Sequence, residues 1–109
     1  MKLNIVKCLG ALAHDSRLAI FKALVQAGPS GLAAGKIGET VGLAPPSVSF
    51  HMKELTHADM VISRNEGRFV IYTANFDSMN SLVSFLTENC CGGEQCLPAM
   101  QHQPAKKRK

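Results

Sequence analysis

For its first half, the chain places apolar residues in a helical rhythm. Ile5, Leu9 and Leu12 stand at i, i+4 and i+7, one face of an amphipathic helix over residues 3–13. Asp15 suits the N-cap of a second helix reaching to about Ala27, with Leu18, Phe21 and Val25 as its apolar face. Gly28-Pro29-Ser30-Gly31 breaks the pattern. A short third helix is expected from Ala33 to Val41, turning Ala34, Ile37 and Val41 inward; Gly42 follows, where a left-handed residue is favoured. Pro45 and Pro46 open a fourth helix, because proline's missing N–H costs nothing in a first helical turn. That helix runs to about Ala58, with Val48, Met52 and Leu55 inward.

The period then drops from helical to alternating. Met60–Ser63 and Arg68–Thr73 are rich in β-formers and enclose Arg64-Asn65-Glu66-Gly67, a hairpin signal. Asp77 or Ser78 caps a last helix, with Leu82, Val83, Phe85 and Leu86 as its apolar positions, ending near Asn89. The predicted fold class is mainly α with a β-hairpin, in the order α-α-α-α-β-β-α. Two helices around a tight Gly-containing turn, followed by a hairpin and a further helix, make a winged helix-turn-helix.

Composition changes this picture little. Hydrophobic residues make up 46% and charged residues 18%, an ordinary globular balance. No apolar run approaches the roughly 18 residues of a bilayer span. Ile5–Ala13 (IVKCLGALA) faintly resembles a signal peptide, but Lys7 interrupts it, so a cytoplasmic protein with no membrane partner is expected. The net charge of +4 equals the contribution of Lys106, Lys107, Arg108 and Lys109, and the rest of the chain is formally neutral. Bulk charge therefore makes no case for nucleic acid; a motif must. A nucleotide loop, a C-x-x-C and a triad-like arrangement are all absent, which argues against an enzyme and an organic cofactor.

In a helix-turn-helix the second helix enters the DNA major groove. Burying Val48, Met52 and Leu55 turns Ser47, Ser49, Phe50, Lys53 and His57 outward. Small hydroxyls allow close approach, Lys53 suits phosphate, and Phe50 either touches a thymine methyl or simply covers the helix. His51 lies at the edge of the apolar stripe, as a half-buried structural residue or a DNA contact. Arg64 and Arg68 flank the expected hairpin turn, either reaching the DNA backbone or minor groove or standing as solvated charges.

Leu43 to Val61 (LAPPSVSFHMKELTHADMV) strongly resembles the recognition helix of the ArsR/SmtB family of metal-sensing repressors, and Leu12 to Leu24 (LAHDSRLAIFKAL) resembles that family's second-helix signature. The resemblance covers roughly residues 5–90. It implies a winged-helix homodimer, paired through its first and last helices, on double-stranded operator DNA of twofold symmetry. The family's contact positions carry over to Ser47, Ser49 and Phe50. Three positions depart from the pattern. Pro45 stands where many members have glutamine or another polar residue, Phe50 where many have histidine, and Asp59 where a glycine is common.

The remaining chemistry is sulfur. Cys90-Cys91-Gly92-Gly93-Glu94-Gln95-Cys96 follows the last helix at once. Soft thiolates select soft ions, and As(III) or Sb(III) takes three of them in a pyramid. Two adjacent cysteines supply two sulfurs only where the backbone is not a rigid helix, and the glycines let Cys96 fold back as the third. Zinc or cadmium would want a fourth ligand, for which His102 is available, and a vicinal-thiol redox switch is a further alternative. Cys8, between apolar neighbours, reads as a small core residue. Many family members carry arsenic cysteines in the third helix, which here reads GKIGETV; this chain resembles instead the branch with an adjacent cysteine pair and a third cysteine near the C-terminus. The expected organisation is 1–89 as the DNA-binding and dimerisation domain, 90–96 as the metalloid-binding segment and 97–109 as a flexible basic tail. The expected function is repression relieved when As(III) or Sb(III) binds Cys90, Cys91 and Cys96, with a Zn/Cd- or redox-responsive repressor of the same fold as the alternative.

Overall fold

The computed structural model describes residues 4–93. Its elements are α1 (Ile5–Leu12), α2 (Asp15–Ala27), β1 (Leu32–Ala33), α3 (Ala34–Val41), α4 (Pro45–His57), β2 (Val61–Glu66), β3 (Phe69–Ala74) and α5 (Phe76–Thr87), with 3₁₀ turns at Gly28–Ser30 and Cys90–Gly93. The strands form one antiparallel sheet in the order β1-β3-β2. The expected winged helix-turn-helix is present, with one addition. Leu32 and Ala33 pair with Tyr72 and Ile71 of β3. A two-residue strand carries no periodicity; it exists only because β3 offers a free edge.

Helix faces and caps differ from expectation in four places. In α1 the wholly buried residue is Cys8, whereas Leu9 is 41% exposed, so the inner stripe is Ile5, Cys8 and Leu12. In α2 the buried residues are Ile20, Phe21 and Leu24, while Leu18 is exposed. Asp15 is not the N-cap of α2. His14 is, because its Nδ1 accepts the Ser16 N–H at 3.1 Å, leaving Asp15 in the first turn where a carboxylate suits the helix dipole. Likewise Asn75, not Asp77 or Ser78, caps α5, its Oδ1 accepting the Ser78 N–H at 3.2 Å.

The hairpin turn is also tighter than expected. β2 and β3 pair as far as Glu66 opposite Phe69, so only Gly67 and Arg68 turn the chain. Gly67 takes φ +62° at the first turn position, and Arg68 has no positive φ, the pattern of a II′ hairpin turn. Arg64 therefore stands within β2, opposite Ile71, rather than beside the turn.

The helix-turn-helix itself packs closely. Ile37 of α3 and Val48, Met52 and Leu55 of α4 join Ile20, Leu24 and Met60 in the core. Gly38 lets the turn approach, since a Cβ there would stand 2.9 Å from the Leu43 carbonyl oxygen. The same Gly38 carbonyl accepts N–H groups from Gly42 and Leu43, and Gly42 is left-handed as expected. Truncating a fully buried residue such as Leu55 should cost about 2–5 kcal/mol.

At the other end of α4, Asp59 adopts φ +61°, a left-handed conformation that glycine would take without strain. The Met60 N–H reaches back to the Leu55 carbonyl and the Asp59 N–H to that of Thr56. These bonds satisfy the last turn and hold Asp59 in the left-handed region. A non-glycine residue there costs about 1–2 kcal/mol, offset by about 0.5–1 kcal/mol of chain entropy that glycine would add to the unfolded state. Asp59→Gly is therefore expected to stabilise the chain by about 0.5–1 kcal/mol, read as a higher urea midpoint with an unchanged slope. A lower midpoint would mean that the aspartate side chain supports the turn.

Candidate nucleic-acid interface

With 3.6 residues per turn, burying one stripe of α4 fixes what the opposite stripe presents. Pro46, Phe50, Lys53 and His57 fall along one line opposite Val48, Met52 and Leu55, and all four are exposed. Ser47 and Ser49 are exposed on the flanks. A shallow groove joins this face to the hairpin, lined by Ser49, Lys53, Thr56 and His57 on α4 and by Ser63 and Tyr72 on the strands. The five positions expected to face outward from α4 do so.

His51 points the other way. It is 8% exposed, and its ring lies 4.8 Å from that of His14 at a 52° tilt. Arg17 Nη1 stands 3.3 Å from His51 Nδ1, while Arg17 Nε donates to the Ala11 carbonyl at 2.7 Å. A guanidinium only donates, so Nδ1 must accept and the His51 proton must sit on Nε2. Burial, then the neighbouring His14 and Arg17, pull the His51 pKa below its ordinary 6.5, against a smaller opposing pull from Glu54. Of the two roles open to His51, this geometry supplies the structural one: it packs the inner side of α4 against the α1–α2 corner. Arg17, which makes that junction, carries no periodic signal in the sequence.

The two wing arginines are separated. Arg64 donates from Nε to Glu66 Oε2 at 2.6 Å, from Nη1 to the Pro29 carbonyl at 3.1 Å and from Nη2 to the Ser30 carbonyl at 2.9 Å. Its guanidinium thus ties the wing to the 28–30 turn. Arg68 lies in the hairpin turn itself and is exposed.

Cys8 is fully buried and its thiol donates to the Ala58 carbonyl at 3.3 Å. Burial first, and then Asp59, raise its pKa, so it is a core residue poorly suited to metal binding. Cys90 and Cys91 begin the 3₁₀ turn beyond α5, which ends at Thr87; Glu88 is already extended and Asn89 follows at φ +57°. The Gly92 N–H closes that turn on the Asn89 carbonyl at 3.0 Å. Cys96, His102 and the 106–109 basic run lie outside the described residues. Among the described residues, no group of three or more His, Cys, Asp or Glu side chains gathers. None of the helices there is long and apolar enough to cross a membrane.

An inward-locked helix with an exposed outer face beside a hairpin defines a DNA-binding module of the winged helix-turn-helix class. Residues 12–64 match the family model for a helix-turn-helix domain. The chain is 30% identical over 61 residues to the transcriptional repressor SdpR of Bacillus subtilis, a match spanning 52% of this chain and 68% of that protein. Its fold is similar to that of an ArsR-like transcriptional regulator from Rhodococcus sp. RHA1, with a TM-score of 0.70 at 20% identity over 94% of this chain and 92% of that one. It is also similar to the homodimeric winged helix-turn-helix domain of a possible ArsR-family regulator from Mycobacterium bovis, with a TM-score of 0.64 at 23% identity over 85% and 86%. The chain belongs to a helix-turn-helix family of transcriptional regulators, and its winged fold is like that of the ArsR-like structures.

The His51 junction gives a pH dependence with a definite sign. The folded state disfavours the imidazolium, which would set a donor against the Arg17 donor, so the unfolded state binds more protons. Stability is full above the ordinary value of 6.5 and is lost as pH falls below it towards the lowered folded value. Urea midpoints measured from pH 7.5 to 5.5 should therefore fall more steeply for the wild type than for His51→Asn, whose amide oxygen accepts but does not titrate. Parallel curves would remove His51 as the titrating group.

Proposed function

We propose that the chain is a dimeric repressor that holds operator DNA through α4 and the wing, and leaves it when As(III) or Sb(III) engages Cys90, Cys91 and Cys96. The observation carrying the DNA half is the exposed Pro46-Phe50-Lys53-His57 stripe, set opposite a buried one and continuous with the hairpin groove. Dimerisation is supported by apolar residues left on the outer faces of α1 and α5: Val6, Leu9, Val83, Phe85 and Leu86 are all more than two-fifths exposed. Such a set is more than isolated surface residues require. The Mycobacterium bovis domain of the same fold is itself homodimeric.

The ligand half is supported by the position of the cysteine pair. It starts just past the extended Glu88 and the left-handed Asn89, where the backbone is no longer α-helical. Arsenous acid would condense with three thiols: three As–S bonds form, three As–O bonds break, three waters leave and arsenic keeps its oxidation state. By linkage, DNA weakens arsenite binding by the factor by which arsenite weakens DNA binding.

The decisive test is fluorescence anisotropy of the reduced protein on DNA from upstream of its own gene, titrated with arsenite beside a Cys90→Ser/Cys91→Ser variant. Both should bind the DNA, and arsenite should release only the wild type. Arsenite binding that leaves DNA affinity unchanged would sink the sensing reading. Release by zinc or cadmium, or by peroxide with recovery on a thiol reductant, would transfer it to the metal or redox alternative. On the same DNA, Lys53→Ala should weaken binding about uniformly across sequences and reduce the slope of log affinity against log salt by about 0.9, one phosphate contact. An unchanged slope would place Lys53 off the phosphates.

A further inference from the structure

We propose that Phe50 is a specificity-determining residue that reads the C5-methyl group of thymine, so that sequence discrimination by α4 is largely apolar. The inference rests on the proposed DNA-binding role and goes beyond it, to the base and the atom recognised.

Phe50 is the sixth residue of α4, within the two turns nearest the N-terminus, the part of a recognition helix that meets base edges. It is 56% exposed although it is the largest apolar side chain of that helix. It stands on the outward line with Pro46, Lys53 and His57, away from Val48, Met52 and Leu55. The ring contact recorded for it is an edge-on approach to His51 at 5.4 Å, which fixes its direction without covering it. A free aromatic face at the centre of a helix otherwise flanked by Ser47, Ser49 and Lys53 is uncompensated in the unbound protein.

The hydrogen-bonding inventory of α4 points the same way. Base pairs are told apart in the major groove by Arg or Lys on guanine, bidentate Asn or Gln on adenine, Glu or Asp on cytosine, or apolar contact with the thymine methyl. Residues 45–57 contain no Arg, Asn or Gln. Lys53 is a single cationic point suited to phosphate, and serines bond to either base or backbone with little discrimination. Of the wing arginines, Arg64 is held by Glu66, Pro29 and Ser30. Phe50 is thus the large apolar side chain on this face, and its base-selective partner is the methyl group that distinguishes thymine from uracil and cytosine.

The test uses duplexes selected by the wild-type full chain from a random pool, then resynthesised with deoxyuridine in place of thymidine. Uracil keeps every hydrogen-bonding group and removes only the methyl. Wild-type affinity should fall about fourfold for each buried methyl, and about sixteenfold if two half-sites are read. Phe50→Ala, a change at an exposed position, should bind thymine and uracil duplexes alike, and single uracil replacements should locate the contact. Equal wild-type affinity for both duplexes overturns the inference while leaving DNA binding intact. An equal loss in wild type and Phe50→Ala also overturns it, because the methyl would then act through DNA shape or another residue. Failure of the wild type to select any duplex overturns the DNA-binding reading itself, and this inference with it.

Discussion

The rotational setting of α4 is the constraint on which the rest depends. Val48, Met52 and Leu55 are buried almost completely, in a core they share with Ile20, Leu24, Ile37 and Met60. A rotation by one residue, about 100°, would take these side chains out and drive Lys53 or Ser49 in. Burying an unpaired ammonium is far costlier than any gain such a turn offers. The helix is therefore locked, and everything said of its outer face follows from its inner one. His51 and Arg17 add a polar pin to the apolar lock. Arg17 satisfies the Ala11 carbonyl near the end of α1 and the Nδ1 of His51 with one guanidinium, so that the first helix, the second and α4 meet at a single side chain.

Electrostatics gives the interface less help than is usual for a DNA-binding surface. Apart from the four basic residues at 106–109, the chain carries as many acidic as basic side chains. Of the cations in the described fold, Arg64 is engaged by the 28–30 turn and Lys36 stands beside Glu39 at 3.8 Å on α3. A surface with so few free charges neutralises few phosphates, so contact complementarity must supply a larger share of discrimination. An exposed phenylalanine in the recognition helix is consistent with that balance.

The sequence was most legible where one physical rule acts alone. Three well-spaced apolar residues set the inner face of α4, and the switch from helical to alternating period marked the wing. Legibility failed where local candidates compete. Between Leu18 and Val25 nearly every residue is apolar, so several stripes fit, and only the neighbouring helices select Ile20, Phe21 and Leu24. Asp15 and Asp77 are good caps by type, but His14 and Asn75 lie one and two residues earlier and reach the free N–H groups first. The wing arginines looked equivalent because their difference is non-local: Arg64 meets carbonyls 34 and 35 residues away. β1 was invisible for the same reason.

Departure from the family pattern proved informative in two of three places. Asp59 occupies a left-handed position where glycine is usual, and the neighbouring Asn75 adds support that glycine would not lose. The side chain of Asn75 donates to the Asp59 carbonyl at 3.0 Å, its N–H donates to the Met60 carbonyl at 2.9 Å, and its oxygen caps α5. One residue thereby joins the start of α5 to the segment between α4 and β2. A restraint applied at residue 90, just beyond the other end of α5, would act on a twelve-residue helix whose near end is bonded to the segment that follows α4. Half-sites about 34–36 Å apart tolerate little change in the spacing of two such helices. A chain of contacts is not itself a coupling energy, which only the difference in DNA affinity with and without ligand measures. Tilting α5 would either carry the segment just after α4 with it or break the bonds Asn75 makes to Asp59 and Met60.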